Sequence, residues 1–200
     1  MFVKDEVFYH IHRTNRFSSL WSPGNQIDIT NRQPNEFNAF YAHFHRYFTI
    51  NGQQYLPNQV SSLVLSGGDS LTRENLWDVF LFNKLVIEDY AIYLRERVFE
   101  DVRQQYFSNL PSRRAGIWVF SENAKEYWKI ELKGERKIFK VSLTGVIHKA
   151  DQRHLKAEVL PENVLRQKAF SYWTGTDGTN PVEEELLFEG IVKVLDECAS

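Results

Sequence analysis

Between Thr72 and Phe107, the residues Tyr90, Leu94, Val98 and Val102 recur at every fourth position, flanked by Arg95, Glu96, Arg97, Asp101 and Arg103. Side chains four apart share one face of an α-helix, so this spacing predicts a long amphipathic helix with one buried and one solvated side. Pro111 is its stop, because proline lacks the amide donor and clashes with the preceding turn. The segments on either side have a different period. "EVFYHIHRT" alternates and reads as a first strand ending near Arg13. "GIWVF" and "KIFKVSLTGVI" read as strands separated by a short helix over "SENAKEYWK". "LLFEGIVKV" reads as a closing strand in which Gly190 marks a bulge or turn.

The intervening stretches fill in the order. "NRFSSLWSPGNQI" is a turn-rich connection broken at Pro23 and Gly24. From Asn35 to Phe48 the aromatics Phe37, Phe40, Tyr41, Phe44 and Phe48 recur at helical spacing, which predicts an aromatic-faced helix packed on the core. Asn51-Gly52 is a turn signal, and a further helix runs from Pro161 to Tyr172. At 42% hydrophobic and 14% aromatic, the 200 residues suffice for a sizeable core. Neither a repeat nor a linker interrupts them. The expectation is one α+β domain over residues 1–200.

Composition excludes several classes. A formal charge of −2 leaves no overall basic footprint for nucleic acid, although local basic patches stay open. The apolar runs are only a few residues long, so neither a membrane span nor a secretory signal is expected, and the cytosol is the expected compartment. The single cysteine, Cys198, excludes an internal disulfide and reads as an incidental thiol near a frayed end. The six histidines form no metal motif: His43 and His45, two apart on a predicted helix, would point to different faces.

The chemistry of interest lies in "TGTDGTNPVEEELLFEGIVKV", where Glu183, Glu184 and Glu185 stand between a loop of Thr, Gly, Asp, Asn and Pro and the closing strand. A run of charges is commonly a solvated face. The same segment resembles the last motif of the ADP-ribosyltransferases, in which Glu-x-Glu opens a core strand. Here that pair would be Glu183 and Glu185, with "TGTDGTNP" in the place of the acceptor-recognition loop. "FYHIHRT" resembles the nicotinamide-site strand, with Tyr9, His10 and Arg13 in position, and "LPSRRAGIWVF" resembles the middle element through Ser112 and Arg113. Together "YHIHRTNRFSSLW", "PSR" and "LLFEG" resemble an uncharacterised bacterial family within that superfamily. The first strand has neither Tyr-Arg-Gly nor Tyr-His-Gly, and residues 31–106 carry none of the family's motifs.

The resemblance implies an ADP-ribosyltransferase-like split β-sheet around an NAD-binding cleft, with inserted helices. It implies NAD+ as co-substrate, no metal, and transfer of ADP-ribose to RNA, DNA or protein by a bacterial toxin or phage-defence effector, restrained by an inhibitory partner protein. Glycosidic cleavage of NAD+ passes through an oxocarbenium-like state, which a carboxylate facing the ribose stabilises electrostatically. Glu185 would fill that role and Glu183 would handle the acceptor. His10 or Arg13 would hold the donor, Tyr9 would stack on nicotinamide and Ser112 would support the site through its hydroxyl. The strands starting at Phe8, Gly116 and Leu186 are therefore expected in one sheet, with His10 and Glu185 facing one cleft. NAD+ hydrolysis, or nucleotide or partner binding without turnover, are the alternative uses of such a cleft.

Overall fold

In the computed structural model, residues 1–13, 18–30, 35–43, 45–67, 73–132, 134–175 and 184–198 are described. Alternation along three long strands organises them. Strand β1 (Phe2–Arg13) pairs antiparallel with the strand over Arg136–Asp151, and that strand pairs antiparallel with the one over Glu184–Cys198. Two short strands share the far edge of this last strand: β2 (Gln26–Asp28), opposite residues 191–193, and the strand Ile117–Val119, opposite residues 186–188.

The other elements, in chain order, are α1 (Glu36–His43), β3 (Phe48–Ile50), β4 (Gln53–Tyr55), α2 (Pro57–Leu65) and α3 (Arg73–Tyr106). The strand Ile117–Val119 is β5 and α4 is Lys125–Glu131. Arg136–Asp151 is β6, α5 is Glu162–Thr174 and Glu184–Cys198 is β7. The fold is thus α+β with antiparallel strands. The sheet also curls back on itself. Just past β5, Phe120 and Tyr9 exchange two backbone hydrogen bonds of 2.9 Å, so β5 touches β1 at one end and β7 along its length.

This curl gives the sheet an inside and an outside. Alternate residues of β6 and β7, among them Phe139, Val141, Leu143, Ile147, Phe188, Val192 and Val194, meet Trp21, Ile27, Ile117 and Val119 in one fully buried core. The outer face of β7 packs through Leu187 against Val98, Phe99 and Val102 of α3 and Leu165, Ala169, Tyr172 and Trp173 of α5. A smaller cluster of Tyr9, Phe120, Ala124 and Ile138 seals the junction of β1 and β5.

Several expectations hold: α3 spans the long amphipathic stretch, and Asn51 and Gly52 turn the β3–β4 hairpin with φ of 50° and 80°. Others need correction. The aromatic helix stops at His43, Phe48 already lies in a strand, and the buried residue of α1 is Asn38, whose amide donates to the Arg113 carbonyl at 3.0 Å. Gly190 is neither bulge nor turn. It faces Gly145 across β6 and β7, where an added Cβ would lie 2.5 Å from the Thr144 carbonyl oxygen. The register shift of β7 comes later, opposite Lys140 and Val141. Cys198 is the last residue of β7, paired with Ile138 and packed against the Tyr9 cluster rather than on a frayed end.

Along α3 the buried and solvated sides depart from the expected division. Val98 and Val102 are buried as the spacing requires, but Tyr90 and Leu94 are exposed, and Arg95 and Glu96 are inside. Among the described residues no helix is long and apolar enough to cross a membrane.

Candidate functional site

The reason Arg95 and Glu96 are inside lies 17 residues on, in the turn that follows Pro111. There Arg113, 2% exposed, enters the space between α3, α5 and β7. Its Nε donates to Glu96 Oε2 at 2.9 Å and its Nη2 to Glu96 Oε1 at 3.1 Å, the parallel fork geometry that suits a guanidinium and a carboxylate. Its Nη1 donates to Glu185 Oε1 and to the Tyr172 hydroxyl, the latter at 2.8 Å. Tyr172 in turn donates its hydroxyl proton to the same Glu185 oxygen. Arg95 completes the set by donating to Glu96 Oε1 at 2.7 Å.

Two arginines thus face two carboxylates, all four side chains buried, and the charges balance. Burial alone would push the Glu96 carboxyl up, but Arg113 and then Arg95 outweigh it and hold it below its usual value. Burial likewise opposes the charge on Arg113, and the carboxylates of Glu185 and Glu96 overcome it, raising the guanidinium well above its ordinary value. The Tyr172 phenol is pushed well above its usual range by burial, with Glu185 adding to the shift against the pull of Arg113. Tyr172 is therefore a proton donor at neutral pH. Beside it, burial lowers His148 to about 4, so the ring is neutral and donates Nε2–H to the Tyr172 carbonyl at 3.0 Å.

The expected site residues divide between the two faces of the sheet. Glu185, the second residue of β7, lies on the outer face, one position ahead of the inward Leu186. Both of the hydrogen bonds from Arg113 and Tyr172 fall on Oε1, so the two residues orient the carboxylate through one oxygen. Tyr9 is also on the outer face: it pairs with Phe120, and the β5 register that sets Val119 against Leu186 carries Phe120 toward Glu185. Lys125 Nζ sits 5.1 Å above the Tyr9 ring.

His10 is on the inner face. It pairs with Phe139, its ring stacks on Trp21 with centroids 4.1 Å apart, and its Nδ1 and the Trp118 carbonyl oxygen are hydrogen-bonded at 2.8 Å. The expectation that His10 and Glu185 face one cleft is therefore corrected: the strands that carry them do meet in one sheet, but on opposite faces. The cause is parity, since successive side chains of a strand alternate. Arg13 is exposed at the end of β1. Ser112 stands beside Arg113, where its hydroxyl donates to Glu100 Oε1 at 3.1 Å and its amide to Glu189 Oε2 at 3.2 Å. Glu183 and residues 176–181 of the supposed acceptor loop lie outside the described residues. Glu184 points to the face opposite Glu185 and pairs with Lys149 Nζ at 2.6 Å.

Glu96, Tyr172 and His148 escape a reading by pattern. A signal was present: Glu96, Phe99, Glu100 and Arg103 follow the same i, i+3, i+4, i+7 stripe as a buried face. Charged residues on such a stripe require partners from elsewhere. Among the described residues, no group of three or more His, Cys, Asp or Glu side chains is arranged to hold a metal ion.

Residues 8–200 match the family described as "Protein of unknown function (DUF2441)". The chain belongs to that family. No curated protein matches the chain. The DUF2441 match spans β1 from Phe8 onward as well as Arg113, α5 and β7, so every residue of the buried network falls within the family's span.

Proposed function

We propose that this DUF2441 chain is an NAD+-dependent ADP-ribosyltransferase that moves ADP-ribose to a macromolecular acceptor, RNA, DNA or protein, with Glu185 as the carboxylate facing the ribose. The curled sheet is read as the split sheet of that superfamily, and the NAD+ cleft as lying on its outer face. One observation carries the proposal: Glu185 is gripped through a single oxygen by Arg113 and Tyr172, while Tyr9 shares its face across the Phe120 strand. A fixed carboxylate meets the need of an oxocarbenium-like transition state, because it acts without reorganising when charge develops. On this reading Arg113 and Tyr172 are positioning residues, Tyr9 is the aromatic wall, and His10 supports the strand from within. A toxin or phage-defence role, with a separate inhibitory protein, goes with the activity.

A second reading has its own observation. His10 is packed on Trp21, on the face away from Glu185, which favours a module that binds a nucleotide or a partner without turnover. NAD+ labelled in the adenylate portion separates these readings. Incubation with a cell extract, followed by nuclease or protease digestion, is expected to show label on a macromolecule together with released nicotinamide. Glu185→Gln is expected to lose both by about 10²-fold, with circular dichroism confirming that it is folded. Nicotinamide without label marks hydrolysis, and NAD+ binding without nicotinamide marks the silent module. A Glu185→Gln chain that is as active as the wild type overturns the assignment.

A further inference from the structure

Glu96 and Glu100 stand four apart and share one face of α3, while Glu185 and Glu189, also four apart, share the outer face of β7. The turn after Pro111 passes between the two rows and joins them twice. Arg113 joins Glu96 to Glu185. One residue earlier Ser112 joins Glu100 to Glu189, its hydroxyl donating to Glu100 Oε1 at 3.1 Å and its amide to Glu189 Oε2 at 3.2 Å. The same arrangement is thus built once around a guanidinium and once around a neutral residue.

The charges of the second pair are unevenly met. Arg103 donates Nε and Nη2 to Glu100 Oε1 at 3.0 and 2.8 Å, and Gln104 Nε2 approaches the same oxygen at 3.4 Å. Every donor therefore falls on Oε1. Glu100 is 4% exposed, and its Oε2 is the one buried side-chain oxygen among the described residues without a partner. Such an oxygen carries its whole desolvation cost. Since Oε1 reaches Ser112, the carboxyl group is turned into the space that Ser112 bridges. Glu189 brings a second, half-buried carboxylate there, and among the described residues its one hydrogen bond is to the Ser112 amide and it is in no ion pair. Two carboxylates stand against one guanidinium, whereas the neighbouring pair, with Arg95, is balanced two against two.

A partner for Glu100 Oε2 has to be positive, small enough to enter beside Glu189, and suited to oxygen. Carboxylates select hard cations, and magnesium in particular is held through one or two of them with water completing its shell. We infer that Glu100 Oε2 and the Glu189 carboxylate bind a hydrated divalent cation of the magnesium class, which ties α3 to β7 on one side of the Ser112–Arg113 turn as the Arg113 guanidinium does on the other. The inference is independent of the proposed activity, in which neither carboxylate has a part.

Calorimetric titration of the whole chain, freed of metal with EDTA, with magnesium chloride at constant ionic strength tests it. One saturable ion per chain is expected. Glu100→Gln and Glu189→Gln are each expected to weaken it by at least about tenfold, since even the loss of an outer-shell partner costs that much. Glu184→Gln, whose carboxylate is paired with Lys149, is expected to bind as the wild type does. Thermal unfolding gives a reading that a purely structural glutamate would not. In EDTA, Glu189→Gln is expected to unfold no earlier than the wild type, because repulsion between the two carboxylates is relieved, and in saturating magnesium it is expected to unfold earlier. A wild type without saturable magnesium binding overturns the inference and leaves Glu100 Oε2 to an ordered water. Binding that survives both substitutions, or that potassium chloride alone saturates, equally overturns it.

Discussion

Arg113 and Glu96 form a two-pronged ion pair at 2.9 and 3.1 Å, with both side chains under 5% exposed. Removing one member of a buried pair strands the other as an uncompensated charge, which costs about 3–5 kcal/mol. Arg113→Met is therefore expected to lower stability by that amount, as read by urea unfolding. Arg113→Lys is expected to rescue little, because a single ammonium cannot reproduce the fork to Glu96 while also reaching Glu185. The double substitution Glu96→Gln with Arg113→Met is expected to recover part of the loss. A double variant as unstable as the sum of the singles would show that the pair does not act as a unit.

His148 gives the chain a pH dependence of known sign. The folded ring titrates at about 4, whereas an unfolded one titrates near 6.5, so the unfolded chain binds the extra proton. The contribution is fully present above pH 6.5 and fades as the pH falls toward 4, for a total of about 3 kcal/mol. Unfolding free energies at pH 7.5 and 5 are expected to differ in that direction. In His148→Asn the difference is expected to shrink, and an unchanged slope in that variant would locate the dependence elsewhere.

Gly190 is expected to tolerate no side chain. Its φ of 146° is disfavoured for L-residues, and a Cβ would also meet the Thr144 carbonyl at 2.5 Å and the Gly145 Cα at 2.7 Å. Both obstacles are backbone atoms of a central strand, which cannot swing away. Gly190→Ala is expected to cost more than about 2 kcal/mol in chemical denaturation, the range of substitutions that force strain at a special backbone position. Gly24→Ala, at a position with a positive φ but open space around it, is expected to cost less.

The proposed activity predicts that the three glutamates fail differently. Glu185→Gln should lose nicotinamide release and acceptor labelling together, since NAD+ cleavage needs its charge. Glu183→Gln should reduce labelling and keep a slow NAD+ hydrolysis. Glu184→Gln, whose carboxylate is spent on Lys149 on the other face, should keep both activities. Measuring the two products side by side decides it, and loss of both in Glu184→Gln alone would place the chemistry on the opposite face of the sheet.

What could be read from the residues was the local part of the fold. The helical character of α3, the Asn51-Gly52 turn and the strand character of β6 and β7 are all set by neighbours within a few positions, whereas α3 ends at Tyr106, ahead of the Pro111 read as its stop. Which way each element faces was not legible. Arg95 and Glu96 look like solvated charges until Arg113 and Glu185 arrive from other elements. The separation of His10 from Glu185 depends on how β1, β6 and β7 register, and a slip of one residue would have reversed it. The aromatic row from Phe37 to Phe48 misled because helical spacing persists in the sequence beyond His43, where the helix has already ended.

β7 touches β6, β5 and β2 at once and provides Glu185 to the buried network. Without it β1 and β6 can still pair, but β2 and β5 lose the edge they dock on and Arg113 keeps only one of its two carboxylates. Closing the core therefore joins residues far apart in the sequence. A proteolytic nick ahead of β7 is expected to abolish the site instead of weakening it.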